Sequence, residues 1–295
     1  MREVWSEIGH HIAATIGHNF ICREPQAVRG GCINTAHVVH DGAQRFFVKT
    51  NRDVHAGMFA AEAEGLLEIA KTGCVRVPEP ICWGTAADTA YLVLEYVEFG
   101  ENGECASVAL GIQLAHLHRN AALCFGWRRD NTIGSTSQCN TCEDSWVVFW
   151  REHRLRFQLQ LTISNGHHGP LIAKLEQVLE GVPILLAGHE PQPALLHGDL
   201  WGGNFSVDTA GRPVIFDPAV YYGDRETDVA MTELFGGFDA GFYHAYKSAY
   251  PLTAGYGVRK TLYNLYHVLN HVNLFGGGYA SQAERMADEL LSELR

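Results

Sequence analysis

The chain has 295 residues, 46% of them apolar, with 22 basic against 33 acidic side chains and a formal charge of −11. That length supports a large core in two lobes or one large domain, and the acidic balance, with no Lys/Arg-rich stretch, argues against a nucleic-acid partner and for a neutral or cationic one. No apolar run approaches the roughly 18 residues of a membrane span, and the first residues, with Glu3, Glu7 and His10 among apolar ones, lack a basic n-region and an h-region, so a cytoplasmic protein is expected.

Residues 3–16 carry a helical period through Val4, Trp5, Ile8 and Ile12. The stretch 29–35 (RGGCINT) is a glycine-bearing turn between strands at 26–28 and 37–40, and Asp41-Gly42 turns the chain into a third strand, 45–49, ending in Lys49. Strand, glycine loop, strand, turn and strand ending in Lys is the layout of a kinase N-lobe. Gly30, Gly31, Cys32 and Asn34 are the candidate nucleotide-contacting loop, with Lys49 placed to reach phosphates. Such a lysine needs an acidic partner. In the helix expected over 58–71, Glu64 is preferred, before the Leu66-Leu67 pair, with Glu62 a rival. The apolar strand 91–98 loses its β pattern at Phe99-Gly100, where the chain is expected to cross between lobes. Its main chain at Glu95, Tyr96 and Val97 would offer hydrogen bonds to an adenine edge. Residues 1–97 are thus read as the N-lobe and 98–295 as a mainly helical C-lobe, with helices at 108–118, 145–163, 171–180, 225–249 and 258–295. His116 and His118 read as packing or capping groups. The eight cysteines are scattered as expected of reduced thiols, and the lone C-x-x-C, Cys139 to Cys142, has no second pair for a structural zinc.

The segment His197-Gly-Asp-Leu-Trp-Gly-Gly-Asn204, followed by Ile215-Phe-Asp-Pro218, carries the chemistry. It is an H-x-D-x-x-x-x-N loop with a later Asp closing an apolar strand, in the order that phosphoryl transfer uses. The attacking hydroxyl must be oriented and relieved of its proton, which suits Asp199. Magnesium prefers hard oxygens, which makes Asn204 and Asp217 candidate metal ligands, with ATP as the phosphoryl donor. His197 is expected to brace the loop.

These residues, with GGCIN at 30–34, FFVK at 46–49, YLVLEYVE at 91–98, LLHGDLWGGN at 195–204, IFDPAVYYGDRETDVAM at 215–231 and LYNLYHVLNHVNLFGGG at 262–278, resemble the fructosamine kinase (ketosamine-3-kinase) family over essentially the whole length. The resemblance implies an α+β, two-lobed protein-kinase-like fold related to aminoglycoside and choline kinases, with an antiparallel N-lobe sheet. It further implies ATP- and Mg2+-dependent phosphorylation of the 3-hydroxyl of a ketosamine, free or protein-bound, after which the adduct eliminates and frees the amine. Trp201 would give the sugar or its cationic amine an aromatic platform; a core tryptophan is the competing reading. Asp228 would hold the catalytic loop by backbone hydrogen bonds. Asp224 and Arg225 would line the substrate pocket or pair with each other. The family usually has Trp where this chain has Cys142. An aminoglycoside- or choline-type kinase shares every catalytic residue named, and a catalytically dead kinase-like binding module is a third reading, disfavoured because Lys49, Asp199, Asn204 and Asp217 are all retained.

Overall fold

A computed structural model describes residues 2–28, 33–101 and 103–295. Gly30, Gly31 and Cys32 lie outside the described residues. In chain order the elements are α1 (Arg2–Ile16), β1 (Arg23–Val28), β2 (Thr35–His40), β3 (Arg45–Arg52), α2 (Ala56–Lys71), β4 (Pro80–Ala86), β5 (Thr89–Glu95) and α3 (Glu104–Leu117). The chain continues with β6 (Asn131–Ile133), β7 (Thr136–Gln138), α4 (Trp146–Phe149), a π-helical turn (Trp150–Arg156), α5 (Phe157–Ser164), α6 (Pro170–Leu185) and β8 (Ala194–Leu196). Last come β9 (Phe205–Val207), β10 (Pro213–Ile215), β11 (Tyr221–Gly223), α7 (Glu226–Leu234), α8 (Ala240–Ala249), α9 (Tyr256–Phe275) and α10 (Tyr279–Ser292). Among the described residues no helix is long and apolar enough to cross a membrane.

The chain divides into two compact units, one of residues Met1–Ala106 with Phe205–Pro218, the other of Ser107–Asn204 with Ala219–Arg295. The first unit holds an antiparallel sheet in the order β1-β2-β3-β5-β4. Alternation along β3 sorts its side chains. Phe46 and Val48 join a core with Ile8 and Ile12 of α1, Phe20, Val39, Tyr91 and Val93. Lys49, one residue on, faces the other way and meets α2 at Glu62. The lobe boundary expected at 97/98 falls inside this unit. After β5 the chain stays with it because Gly100 N–H donates to Val207 O (2.8 Å), Thr209 N–H donates to Glu98 O (3.2 Å), and Phe99 stacks on Phe216 at 5.6 Å. Arg76 ties the same strand pair down through Asp208 at 3.1 Å.

The second unit is mainly helical. The helix expected over 225–249 is two, α7 and α8, because Gly236 and Gly237 sit at φ +73° and +103°, where no helix can continue. Likewise 258–295 divides into α9 and α10. The reading of all eight cysteines as thiols is corrected here. Cys124 and Cys142 form a disulfide across 18 residues, between loops that already share main-chain hydrogen bonds from Phe125 N to Glu143 O (2.9 Å) and from Glu143 N to Phe125 O (3.0 Å). Cys139, the other half of the C-x-x-C, is a free thiol.

Candidate active site

In the first unit β3 delivers Lys49 almost fully buried, 6% exposed, with Nζ 2.6 Å from both Glu62 Oε1 and Asp217 Oδ1. Burial alone would lower the lysine pKa, but attraction to Asp217 and Glu62 outweighs it and holds the ammonium above its ordinary value, permanently charged. The partner is Glu62, which corrects the preference for Glu64. On a helix, neighbours lie three and four residues apart, and Glu62 stands three after Phe59 and four before Leu66, both fully buried. It therefore shares the sheet-facing side of α2. Asp217 adopts φ +58°, an uncommon left-handed conformation for a residue with a side chain, directly after the β10 strand that delivers it.

The remaining nucleotide-side candidates separate. Asn34 accepts a hydrogen bond from Asn51 Nδ2 at 2.8 Å, fixing the start of β2 against β3. Glu95 donates its N–H to Glu79 O at 2.8 Å, and its carboxylate pairs with Arg76. That N–H is thus engaged by Glu79, the residue before β4. Tyr96 lies under the Arg45 guanidinium at 4.5 Å, and Val97 follows it just beyond β5.

In the second unit the fully buried strand β8 leads into His197, itself 0% exposed. The N–H groups of His197 and Gly198 both donate to Asp228, at 2.7 Å to Oδ2 and 2.8 Å to Oδ1. His118 Nε2 donates to the same carboxylate at 3.1 Å, and its Nδ1 meets the Tyr246 hydroxyl at 2.8 Å. Burial would raise the Asp228 pKa, but the hydrogen bond and charge of His118, with His197 and the Gly198 N–H, bring it below the ordinary value, so the carboxylate stays ionised. Asp228 is thus a brace for the catalytic loop, as the resemblance implies, and His118 supports it, a role the sequence signalled only by its place at the end of α3. Gly198 is required: it has φ +82°, and a Cβ there would lie 2.1 Å from Ala219 O.

Further along the loop, Asn204 Nδ2 donates to Asp199 O (2.8 Å) and Asp199 Oδ2 (3.2 Å), and Asp199 N–H donates to His197 Nδ1 at 3.3 Å. Both bonds of Asn204 go to acceptors, so its amino group is committed and its amide oxygen points elsewhere. Trp201 is no core tryptophan. It is 39% exposed, lies over Gly203, and meets Phe235 edge-on at 6.3 Å.

Asp224 is not a pocket-lining group, which corrects that expectation. It is 1% exposed and accepts from His189 Nε2 and Tyr263 OH, each at 2.6 Å. Burial would raise its pKa, but the His189 hydrogen bond and charge, with Tyr263 and the Glu226 N–H, lower it on balance. Nor does it pair with Arg225, which donates to Tyr246 OH (3.0 Å) and stacks on Tyr250 at 3.6 Å. His189, Asp224 and Glu226 bring metal-binding atoms within 4.8 Å of one another. Glu226, however, is held by Arg259 Nε and Nη2 at 2.7 and 3.1 Å, so a guanidinium already supplies the positive charge there.

The family model for fructosamine kinase matches residues 4–293. A probable ketoamine kinase from Synechocystis sp. is 49% identical over 288 residues, 97% of this chain and 97% of its own length. A chloroplastic protein-ribulosamine 3-kinase of Oryza sativa subsp. japonica is 42% identical over 272 residues, covering 91% of this chain and 79% of that one. The crystal structure of a putative fructosamine-3-kinase from Haemophilus somnus 129PT superimposes with a TM-score of 0.90 at 30% identity, over 96% of each chain. The choline kinase LicA from Streptococcus pneumoniae shares the fold alone, with a TM-score of 0.65 at 15% identity over 97% of this chain and 98% of that one. The fold is therefore α+β and protein-kinase-like, and the chain belongs to the fructosamine kinase family.

Proposed function

We propose that the protein is an ATP- and magnesium-dependent kinase that phosphorylates the 3-hydroxyl of ketosamines, free or carried on proteins, and so promotes release of the amine. The observation that carries this reading is the braced catalytic loop, Asp199 tied to Asn204 and to His197, in a chain of this family. Asp199 is the group that orients the hydroxyl and accepts its proton, because a carboxylate fixed through its own main chain is pre-positioned for transfer. Lys49, permanently cationic, attracts the nucleotide phosphates. Asn204 has its amino group engaged and its oxygen left over, and Asp217 has one carboxylate oxygen on Lys49 and a side chain 44% exposed. Both offer the hard oxygen donors that Mg2+ takes, so the residues fit the ion. Magnesium, when bound, neutralises charge building on the phosphate oxygens. Trp201 offers the sugar–amine a ring face.

The test is incubation with ATP and Mg2+ against ketosamines, aminoglycosides and choline, with the phosphate located by NMR. Transfer to the 3-hydroxyl of ketosamines is expected, and Asp199→Asn is expected to lower kcat by about 10²–10⁴-fold with little change in KM for ATP. Transfer confined to aminoglycosides or choline would overturn the reading, as would an Asp199→Asn variant within a few-fold of wild type.

A further inference from the structure

The second unit holds a run of aromatic rings of which the mechanism uses only the first, Trp201. From Trp201 the contacts pass to Phe235 at 6.3 Å, on to His271 at 4.7 Å, and then to Phe275 at 5.5 Å and Tyr279 at 5.0 Å. This is not core packing carried to the surface by chance. The run starts inside the catalytic loop, and its two ends are open, Trp201 39% and Phe275 52% exposed. The loop is also pinned to it, since Gly202 N–H donates to Gly236 O at 3.2 Å, next to Phe235.

The chemistry of the shelf is specific. Its rings present electron-rich faces. It lies between the C-terminal end of the 20-residue α9 and Tyr279, the first residue of α10. His271 Nδ1 faces His267 O at 2.8 Å, and a carbonyl only accepts, so Nδ1 holds the proton. Burial lowers the pKa of this histidine, which keeps the ring neutral near pH 7 and leaves Nε2 a lone pair. The shelf therefore combines ring faces and one hydrogen-bond acceptor.

In a ketosamine the reacting 3-hydroxyl is two carbons from the carbon bearing the amine, and everything beyond the nitrogen is the amine's own carrier. We infer that the shelf of Trp201, Phe235, His271 and Phe275 is the subsite for that carrier, the apolar stem of a cationic amine, with His271 Nε2 accepting an N–H from it. The inference rests on the ketosamine reading and deepens it: the rings make His271 and Phe275 specificity-determining positions that select among amines bearing the same sugar.

The test uses the whole chain with ketosamines of one sugar built on methylamine, on benzylamine and on Nα-acetyl-lysine amide. Wild type is expected to show kcat/KM for the benzyl adduct about tenfold above the methyl adduct, from one added aromatic contact. Phe275→Ala is expected to bring that ratio close to one through KM. His271→Phe, which keeps a ring and removes the acceptor, is expected to lower the lysine-to-benzyl ratio several-fold. Ratios within one preparation are insensitive to the folded fraction. Turnover in wild type indifferent to the carrier, or ratios unaltered in both variants, overturns the subsite while leaving the kinase reading intact. Absence of turnover on every ketosamine in wild type overturns the kinase reading and the subsite with it.

Discussion

Replacing Asp228 by Asn tests whether the catalytic loop is held from behind. The carboxylate is 1% exposed and accepts three hydrogen bonds, from His197 N, Gly198 N and His118 Nε2. An asparagine keeps one oxygen acceptor and turns its NH2 toward an N–H, so one charge-assisted bond is lost and one buried donor goes unpaired. At roughly 1.5–3 kcal/mol for a bond to a charged group, and about 1–3 kcal/mol for the orphaned donor, the cost is about 2.5–6 kcal/mol. That corresponds to a fall in Tm of about 4–10 °C for a chain of this size. Movement of Asp199 by about 1 Å would add a loss on the order of 10²-fold in kcat. The pH profile supplies a second check. The folded-state pKa of Asp228 is depressed below the ordinary 3.8, so its contribution is present above that value and lost as pH falls through the folded pKa. Asp228→Asn should remove this part of the acid limb and leave the curve above pH 5 merely lowered. A variant melting within about 2 °C of wild type, with kcat within twofold, would refute the bracing argument.

Gly198→Ala should fail more severely, since its Cβ would lie 2.1 Å from Ala219 O in a left-handed conformation; loss of soluble expression or a Tm drop of about 10 °C or more is the expected reading. Cys124→Ser should cost about 3 kcal/mol by releasing an 18-residue closed loop, and wild type treated with a dithiol reductant should melt at the same lowered temperature. Equal melting of oxidised and reduced protein would show that the disulfide adds no stability.

The sequence made the chemistry more legible than the scaffold. Lys49 on an apolar strand, and Asp199, Asn204 and Asp217 at fixed spacing, read as a phosphoryl-transfer centre because that chemistry restricts residue type and order. What escaped depends on contacts between distant segments. Glu62 rather than Glu64 faces Lys49 because of how α2 lies on the sheet, which the helical period of α2 alone leaves open. Asp224 reads as a pocket-lining acid until His189 and Tyr263, 35 and 39 residues away, close around it. Cys142 looks like half of a C-x-x-C, yet its partner is Cys124. The helix breaks at Gly236-Gly237 and beyond Phe275 were misread for a simpler reason: helix stands on each side, and only the glycines mark the interruption.

The two carboxylates on Lys49 are not equivalent, and the difference predicts how nucleotide binding and catalysis separate. Glu62 has a side chain 10% exposed and Asp217 one 44% exposed, though each lies 2.6 Å from Nζ. Removing the buried partner strips a desolvated ammonium of its counter-charge, a loss of about 3–5 kcal/mol. Asp217 attracts the ammonium at least as strongly, but its side chain is the one that solvent, and so a phosphate or an ion, can reach. Lys49 can therefore keep Glu62 and exchange Asp217 for phosphate oxygens, freeing that carboxylate for the metal ion. Glu62→Gln is then expected to raise KM for ATP by about tenfold or more and to lower Tm. Asp217→Asn should lower Tm less than Glu62→Gln, since solvent reaches its side chain, but reduce kcat by about 10²-fold or more, with a steeper requirement for Mg2+. Steady-state kinetics at varied ATP and Mg2+, alongside melting curves, distinguish the two. Equal effects of both substitutions on KM and on Tm would mean that Asp217 is a structural partner of Lys49 and not the group released to the metal.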